Sequence, residues 1–219
     1  MTLVQNFSYL SALQIFNIMV PLITLPYLLK VLGRETYGLV IFAQAIVSYF
    51  QILIDFGFNL SSTKNISIHR NDKDKISEIV TSTLLLKGLL FICSILILTM
   101  VIPLFPRINE NKALFYLMMY LGLYEWIFPV WYFQGLEKMK YITLINLVSR
   151  VIFLSLVFIL IKHENDYLMV PIINGLGALI AGSVALFIIF KRDRVKLVMP
   201  KGAILKHYFY DSLPLFLQA

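Results

Sequence analysis

The chain alternates along its whole length between long apolar stretches and short polar ones. A helix needs about 20 mainly apolar residues to cross the hydrocarbon core of a bilayer. Runs of that size lie at Ser8–Leu29, Tyr37–Phe58, Ile79–Ile102, Lys112–Phe133, Tyr141–Ile161 and Leu168–Phe190. A seventh begins near His207 and reaches the last residue, Ala219, after 13 residues. The pattern predicts an all-α polytopic membrane protein with six spans and the start of a seventh.

Composition supports lipid as the solvent of this chain. Of the 219 residues, 59% are apolar and 14% are charged, whereas about a quarter of the residues of a typical soluble domain are charged. The single cysteine, Cys93, lies inside an apolar run, which excludes a disulfide framework. The three histidines have no ligand spacing and no catalytic motif is present, so we expect no metal, no cofactor and no enzymatic activity.

Basic residues in the polar loops predict the orientation. Cytoplasmic loops of membrane proteins carry an excess of lysine and arginine. One set of alternate loops holds twelve, namely Lys64, Arg70, Lys73, Lys75, Lys138, Lys140, Lys191, Arg192, Arg194, Lys196, Lys201 and Lys206. The other set holds five, namely Lys30, Arg34, Arg107, Lys112 and Lys162. This bias predicts a cytoplasmic N-terminus. The net charge of +7 therefore indicates anionic lipid head groups as a partner, and not nucleic acid.

The even number of spans predicts a domain boundary after the sixth. The segment that begins at Ser212 (SLPLFL) resembles the segment that begins at Val20 (VPLITL) in the first span. A transporter built from two parallel six-helix repeats has this arrangement. We therefore expect a six-helix lobe over residues 1–206 and the start of a second lobe over 207–219. The short length favours a fragment, a dimerising chain or a truncated product.

Four ionisable residues interrupt the spans: Asp55, Lys87, Glu125 and Arg150. The last three lie eight or nine residues from the cytoplasmic end of their predicted spans, a depth of about 12–14 Å. Asp55 reaches a similar depth if its helix continues past Asn59. Polar residues at comparable depth are Gln14, Asn17 and Asn146.

Two interpretations of this charged layer stay open. Charge inside a bilayer must face the bundle interior, a partner or water. Either two structural ion pairs lock the helices together, or a cavity exists in which Lys87 and Arg150 hold an anion while Asp55 and Glu125 titrate or pair with them. A layer of both signs suits a bulky, polar anionic substrate.

Prolines and aromatic residues add further hypotheses. Pro21 and Pro26 lie inside the first span, where they predict either a static kink or a hinge. Trp126, beside Glu125, is a candidate ring in the wall of the cavity. Trp131 and Tyr132 lie at the predicted end of the fourth span, where an interfacial aromatic belt is expected.

Several long strings resemble one known family. The string PLITLPYLLKVLGRETYG starting at Pro21, the motif DFGF at Asp55, SSTKNIS at Ser61 and WYFQGLE at Trp131 closely resemble Wzx-type O-antigen and polysaccharide flippases. These belong to the multidrug/oligosaccharidyl-lipid/polysaccharide exporter superfamily. The resemblance covers essentially the whole chain and corresponds to the N-terminal half of such a transporter.

The resemblance implies a fold of about twelve helices in two lobes around a central cavity. It implies translocation of an undecaprenyl-diphosphate-linked oligosaccharide across the bacterial inner membrane, coupled to an ion gradient, with other polysaccharide-assembly proteins as partners. Asp55 matches a family motif, whereas Lys87, Glu125 and Arg150 are nominated by depth.

Two functions other than a flippase are also considered. A drug/cation antiporter of the same superfamily would share the fold. A membrane-embedded polysaccharide polymerase or glycosyltransferase would be expected to carry a large extramembrane loop with clustered catalytic residues, and the sequence contains none.

Overall fold

The computed structural model describes the backbone of residues 3–218 and the side chains of residues 8, 9 and 11–218. Within these residues all regular structure is helical, which confirms the prediction of an all-α membrane protein. The helices are α1 (Leu3–Asp55), α2 (Phe58–Ile68), α3 (Lys73–Val101), α4 (Pro106–Glu110), α5 (Lys112–Met118), α6 (Tyr120–Ile127), α7 (Val130–Gly135), α8 (Met139–Leu160), α9 (Met169–Phe187) and α10 (Gly202–Phe216). Short 3-10 turns cover Ile102–Leu104 and Glu164–Leu168, and a π turn covers Ile188–Arg192.

The first helix, α1, is divided into two arms by Gly33. Its 53 residues would measure about 80 Å if straight, far more than the ~30 Å hydrocarbon core. At Gly33 the backbone has φ 76° and ψ 165°, a region that only glycine adopts readily. The helix continues through Pro21 and Pro26, so the break lies at Gly33 and not at the prolines. The hinge at Pro21 and Pro26 stays a prediction.

A second break, at Phe56 and Gly57, separates α1 from α2. Both residues have positive φ, 46° and 76°, and the helical path then resumes as far as Ile68. The helical path of the second predicted span therefore ends at Ile68, and the predicted boundary at Phe58 was wrong. Asp55 consequently lies farther from the end of the helical path than the predicted boundary indicated.

The fourth predicted span consists of three short helices, α5, α6 and α7. Phe128 has extended dihedral angles between α6 and α7. Pro129 lacks the N–H that would bond to the carbonyl of Glu125 four residues earlier, so the helix cannot continue unchanged. The break leaves the Glu125 carbonyl free for another donor.

Among the residues that the structure describes, five helical stretches are long and apolar enough to cross a membrane: Ser11–Ile68, Lys73–Leu104, Lys112–Gly135, Met139–Leu160 and Glu164–Arg192. The chain is thus a multi-pass membrane protein. The first stretch contains the break at Gly33 and has room for two spans, so the count of six stays a prediction, as does the orientation. Exposed apolar side chains such as Leu22, Leu89 and Phe187 form the outer surface, as lipid contact requires.

The core consists of two apolar clusters with a polar layer at their junction. On α3, Leu98 belongs to the first cluster and Ile79 to the second, and Lys87 lies between them. Trp131 and Tyr132 are buried in the second cluster, with 0% and 1% exposure. The expected interfacial belt at these two residues was therefore wrong, because α7 packs against α2 instead of facing the lipid surface.

Candidate functional site

The Lys87 side chain on α3 forms the centre of a buried ionic cluster. Its side chain is 0% exposed, and Nζ lies 3.0 Å from Asp55 Oδ1 and 2.8 Å from Glu125 Oε1. The side chains of Asp55 and Glu125 are 29% and 18% exposed. Asp55 comes from the end of α1 and Glu125 from α6, so one ammonium group ties three segments together. We call these three residues, with Asn59, the Lys87 cluster.

Asn59 completes the cluster from the first turn of α2. Its Nδ2 donates to Glu125 Oε1 at 2.8 Å, and its Oδ1 accepts from Lys87 Nζ at 3.1 Å. The backbone N–H of Asn59 donates to Asp55 Oδ1 at 3.1 Å. Lys87 Nζ also approaches the Glu125 carbonyl at 3.3 Å, the acceptor that Pro129 leaves without a helical partner. The breaks at Phe56–Gly57 and at Pro129 therefore each supply one component of the cluster.

This arrangement separates Lys87 from Arg150. The Lys87 ammonium faces two carboxylates, and an anion site shared by Lys87 and Arg150 stays a prediction. The two predicted ion pairs are instead one cluster of Asp55, Lys87 and Glu125. When all three are ionised it carries one net negative charge.

Arg150 lies apart from the cluster, in the wall of an internal cavity. The cavity has a volume of about 430 Å³ and lies among α1, α6, α7, α8 and α9. Its lining is Leu13, Asn17, Gln44, Gln51, Tyr120, Leu121, Tyr124, Val130, Gln134, Ile142, Asn146, Ser149, Arg150, Phe153, Asn174, Gly177 and Ala178. None of these residues carries a carboxylate. Among the described residues no carboxylate lies within salt-bridge distance of Arg150.

Hydrogen bonds hold part of the cavity wall in place. Tyr124 Oη donates to Asn146 Oδ1 at 2.8 Å, and Asn146 Nδ2 donates to the carbonyl of Ile142 at 2.9 Å. Gln51 Nε2 donates to the carbonyl of Leu121 at 3.4 Å. These bonds join α1, α6 and α8 around a polar space. The guanidinium of Arg150 is left to interact with whatever enters it.

The structure separates the other predicted site residues. Asn17 lines the cavity, whereas Gln14 is exposed and is not part of the lining. Trp126 also lies outside the lining: its ring stacks on Phe91 at 5.5 Å and its Nε1 donates to the carbonyl of Leu84 at 2.9 Å. Trp126 thus packs α6 onto α3, and its role as a ring in a cavity wall stays a prediction.

Sequence reasoning missed four uncharged polar residues of the site. Gln44, Gln51, Gln134 and Asn174 contribute amides to the cavity, and each interrupts an apolar run of the sequence. Polar uncharged residues in or beside a span are a usable signal. That signal identified Gln14, Asn17 and Asn146 in the sequence, but it was not applied to these four residues. No group of three or more metal-ligating residues occurs in the part of the chain that the structure describes.

The fold and the cavity together define a polytopic membrane protein with an internal polar chamber, an arrangement typical of transporters. A family model described as polysaccharide biosynthesis protein matches residues 3–219. The chain belongs to this family, and the resemblance predicted from the sequence strings is confirmed.

Two curated relatives carry the same name. The "Putative O-antigen transporter" of Escherichia coli (strain K12) is 33% identical over 189 residues, covering 86% of this chain and 46% of the relative. The protein of that name from Shigella dysenteriae is 31% identical over 179 residues, covering 80% of this chain and 44% of the relative. The chain thus spans less than half the length of these relatives. No solved structure matches it.

Proposed function

We propose that the chain forms part of a flippase that translocates undecaprenyl-diphosphate-linked O-antigen, or a related polysaccharide repeat unit, across the bacterial inner membrane, with its N-terminus in the cytoplasm. The observation that supports this most is Arg150. It is a cation in the wall of a polar cavity, and no described carboxylate compensates it. Membership of the polysaccharide biosynthesis protein family supplies the class of cargo.

The chemistry of the cavity wall fits a glycosyl diphosphate. A guanidinium group presents a fixed fork of N–H donors that matches phosphate oxygens. The amides of Asn17, Gln134 and Asn174 supply both donors and acceptors for sugar hydroxyls. A volume of about 430 Å³ suits a group the size of a small ligand. The cavity would therefore take the diphosphate and the first sugar, while the polyprenyl tail stays in the bilayer.

The experiment reverses one charge in the full-length protein in its host. Arg150→Glu should abolish surface polysaccharide at an unchanged membrane level of the protein, because a carboxylate repels the diphosphate. Arg150→Lys should retain part of the surface polysaccharide, because the positive charge remains but the paired N–H donors of the guanidinium are lost. The control is Arg107→Glu, the same reversal at an exposed residue of α4. Normal polysaccharide in the Arg150→Glu strain would overturn the proposal.

A drug/cation antiporter is a weaker candidate. A cationic drug is expected to need carboxylates in its site, but the cavity lining contains none, and the carboxylates of Asp55 and Glu125 face Lys87. The antiporter predicts that deletion alters drug tolerance and leaves surface polysaccharide intact, which a deletion strain of the same host would reveal. A membrane-embedded polymerase would require an extramembrane catalytic loop that the sequence lacks.

A further inference from the structure

A second pocket lies at the end of the helices that the charge bias assigns to the cytoplasm. It has a volume of about 500 Å³ and is formed where the α2–α3, α7–α8 and α9–α10 connections meet. Five basic side chains and one carboxylate contribute to its lining, namely Arg70, Lys73, Lys138, Arg192, Arg194 and Asp193. Ile76, Tyr132 and Val195 are buried apolar or aromatic members of the same wall. We call this the basic pocket.

The single carboxylate of the basic pocket is already engaged. Asp193 Oδ2 accepts from Lys138 Nζ at 2.7 Å and from Tyr132 Oη at 2.8 Å. Arg70 has only a long contact, 3.8 Å, to Glu137, and both side chains are about 60% exposed (59% and 62%), so solvent screens that pair strongly. Most of the positive charge of the pocket is thus uncompensated.

The backbone around the pocket is held by defined contacts. The N–H of Lys196 donates to Ser77 Oγ at 3.1 Å, and that of Val198 donates to Thr81 Oγ1 at 3.2 Å. These bonds fasten the segment after α9 to α3. The Arg192 guanidinium lies 5.2 Å from the centre of the Tyr141 ring, a cation–π geometry. The arginines therefore project from an anchored segment.

Apolar residues directly beside the pocket indicate an amphiphilic ligand. Leu197, Val198 and Met199 follow Arg194 closely and are 71%, 43% and 88% exposed. A basic pocket next to an exposed apolar strip at a membrane surface is suited to an anionic head group with its hydrocarbon chains alongside. The geometry points to a binding site for a lipid-borne phosphate, such as the head group of an anionic phospholipid or of a polyprenyl diphosphate. The presence of this binding site does not depend on the proposed transport function, although one of its two ligand sources is the proposed cargo.

The test compares two double variants that remove equal charge from the same segment. Arg192→Gln/Arg194→Gln alters the basic pocket, whereas Lys191→Gln/Lys196→Gln alters exposed neighbours that do not line it. Each purified protein is titrated with dioctanoyl phosphatidylglycerol, farnesyl diphosphate, dioctanoyl phosphatidylcholine and inorganic phosphate, and bound ligand is counted by native mass spectrometry. Thermal unfolding in detergent verifies that both variants are folded.

We expect the arginine variant to lose about 30-fold in affinity for the two anionic lipids, since each of the two basic residues that it removes contributes about 1 kcal/mol near a membrane surface. The lysine variant should stay within about twofold of the unaltered protein, because its charges lie outside the pocket. Tighter binding of the phosphatidylglycerol would indicate a resident phospholipid, and tighter binding of the diphosphate would indicate cargo. The site would be overturned if both double variants lost the same affinity for the anionic lipids. It would also be overturned if phosphatidylcholine or inorganic phosphate bound the unaltered protein as tightly as the anionic lipids do.

Discussion

Lys87 depends on its partners more than any other described residue, because its ammonium group has no access to water. Asp55 and Glu125 compensate it, and Asn59 supplies an additional acceptor. Removing one partner of a buried ion pair is costly, because the remaining charge stays desolvated. Neutralising all partners together removes that cost.

Lys87→Met should therefore destabilise the protein by about 3 kcal/mol, because two carboxylates would then face each other without a cation. The compensated variant Asp55→Asn/Lys87→Met/Glu125→Gln should be closer to the unaltered protein. Unfolding in detergent with increasing dodecyl sulfate measures both. If Lys87→Met unfolds at the same concentration as the unaltered protein, the Lys87 cluster does not stabilise the fold.

At the residue scale, sequence reasoning placed Lys87, Glu125 and Arg150 at one depth, and Asp55 with them if its helix continues past Asn59, but it could not separate Arg150 from the others. Distance along a helix gives depth in the membrane directly. The direction in which a side chain points around the bundle depends on how the helices pack and where they break. Arg150 has the right depth and yet faces the cavity, whereas Lys87 faces the cluster.

At the element scale, the apolar pattern predicted where helices occur but not every place where they break. The break at Gly33, with φ 76°, lies in the polar stretch that the sequence places between the first two spans, whereas Pro129 ends α6 inside an apolar span. Hydropathy is the same on either side of such a break, since it reports side-chain polarity and not backbone dihedral angles. The same limitation explains the misplaced boundary at Phe58.

Close packing between α2 and α7 is concentrated at Gly135. A Cβ built there would lie 2.7 Å from Ile66 Cβ and 2.8 Å from the carbonyl oxygen of Thr63. Because the oxygen belongs to the backbone of α2, the two helices would have to move apart. Gly38 in α1 is the opposite case, since its Cβ would meet nothing within 4 Å.

Gly135→Ala should therefore lower stability by about 1–3 kcal/mol, because the added methyl separates α2 from α7. The matched Gly38→Ala should be neutral or stabilising by up to about 1 kcal/mol, since alanine is the better helix former. Thermal unfolding of the two purified variants tests the contrast. A lower melting temperature for Gly38→Ala than for Gly135→Ala would show that the helix contact is assigned wrongly.

At the scale of the whole molecule, α10 packs onto the helices before it. The Phe56 ring lies between Phe209 and Phe216, with both centroid distances 4.6 Å. Tyr208 Oη donates to Glu78 Oε1 at 3.0 Å. The sequence predicted that residues 207–219 begin a second lobe, and the helix starts earlier, at Gly202. That α10 belongs to a second lobe stays a prediction. Its contacts with α2 and α3, in contrast, are observed in the structure.

This contact can be trapped with a disulfide. Ser61 Oγ and Ser212 Oγ are 2.6 Å apart and both residues are buried, a separation from which a Ser61→Cys/Ser212→Cys pair can approach the ~3.8 Å Cβ distance of a disulfide. In a Cys93→Ser background, mild oxidation should consume both thiols within one chain. Ser67→Cys/Ser212→Cys is the control, because Ser67 lies six residues further along α2 and faces another direction. If the control pair oxidises as completely as the Ser61 pair, α10 is not held against α2 in the membrane, and the defined contact would have to be abandoned.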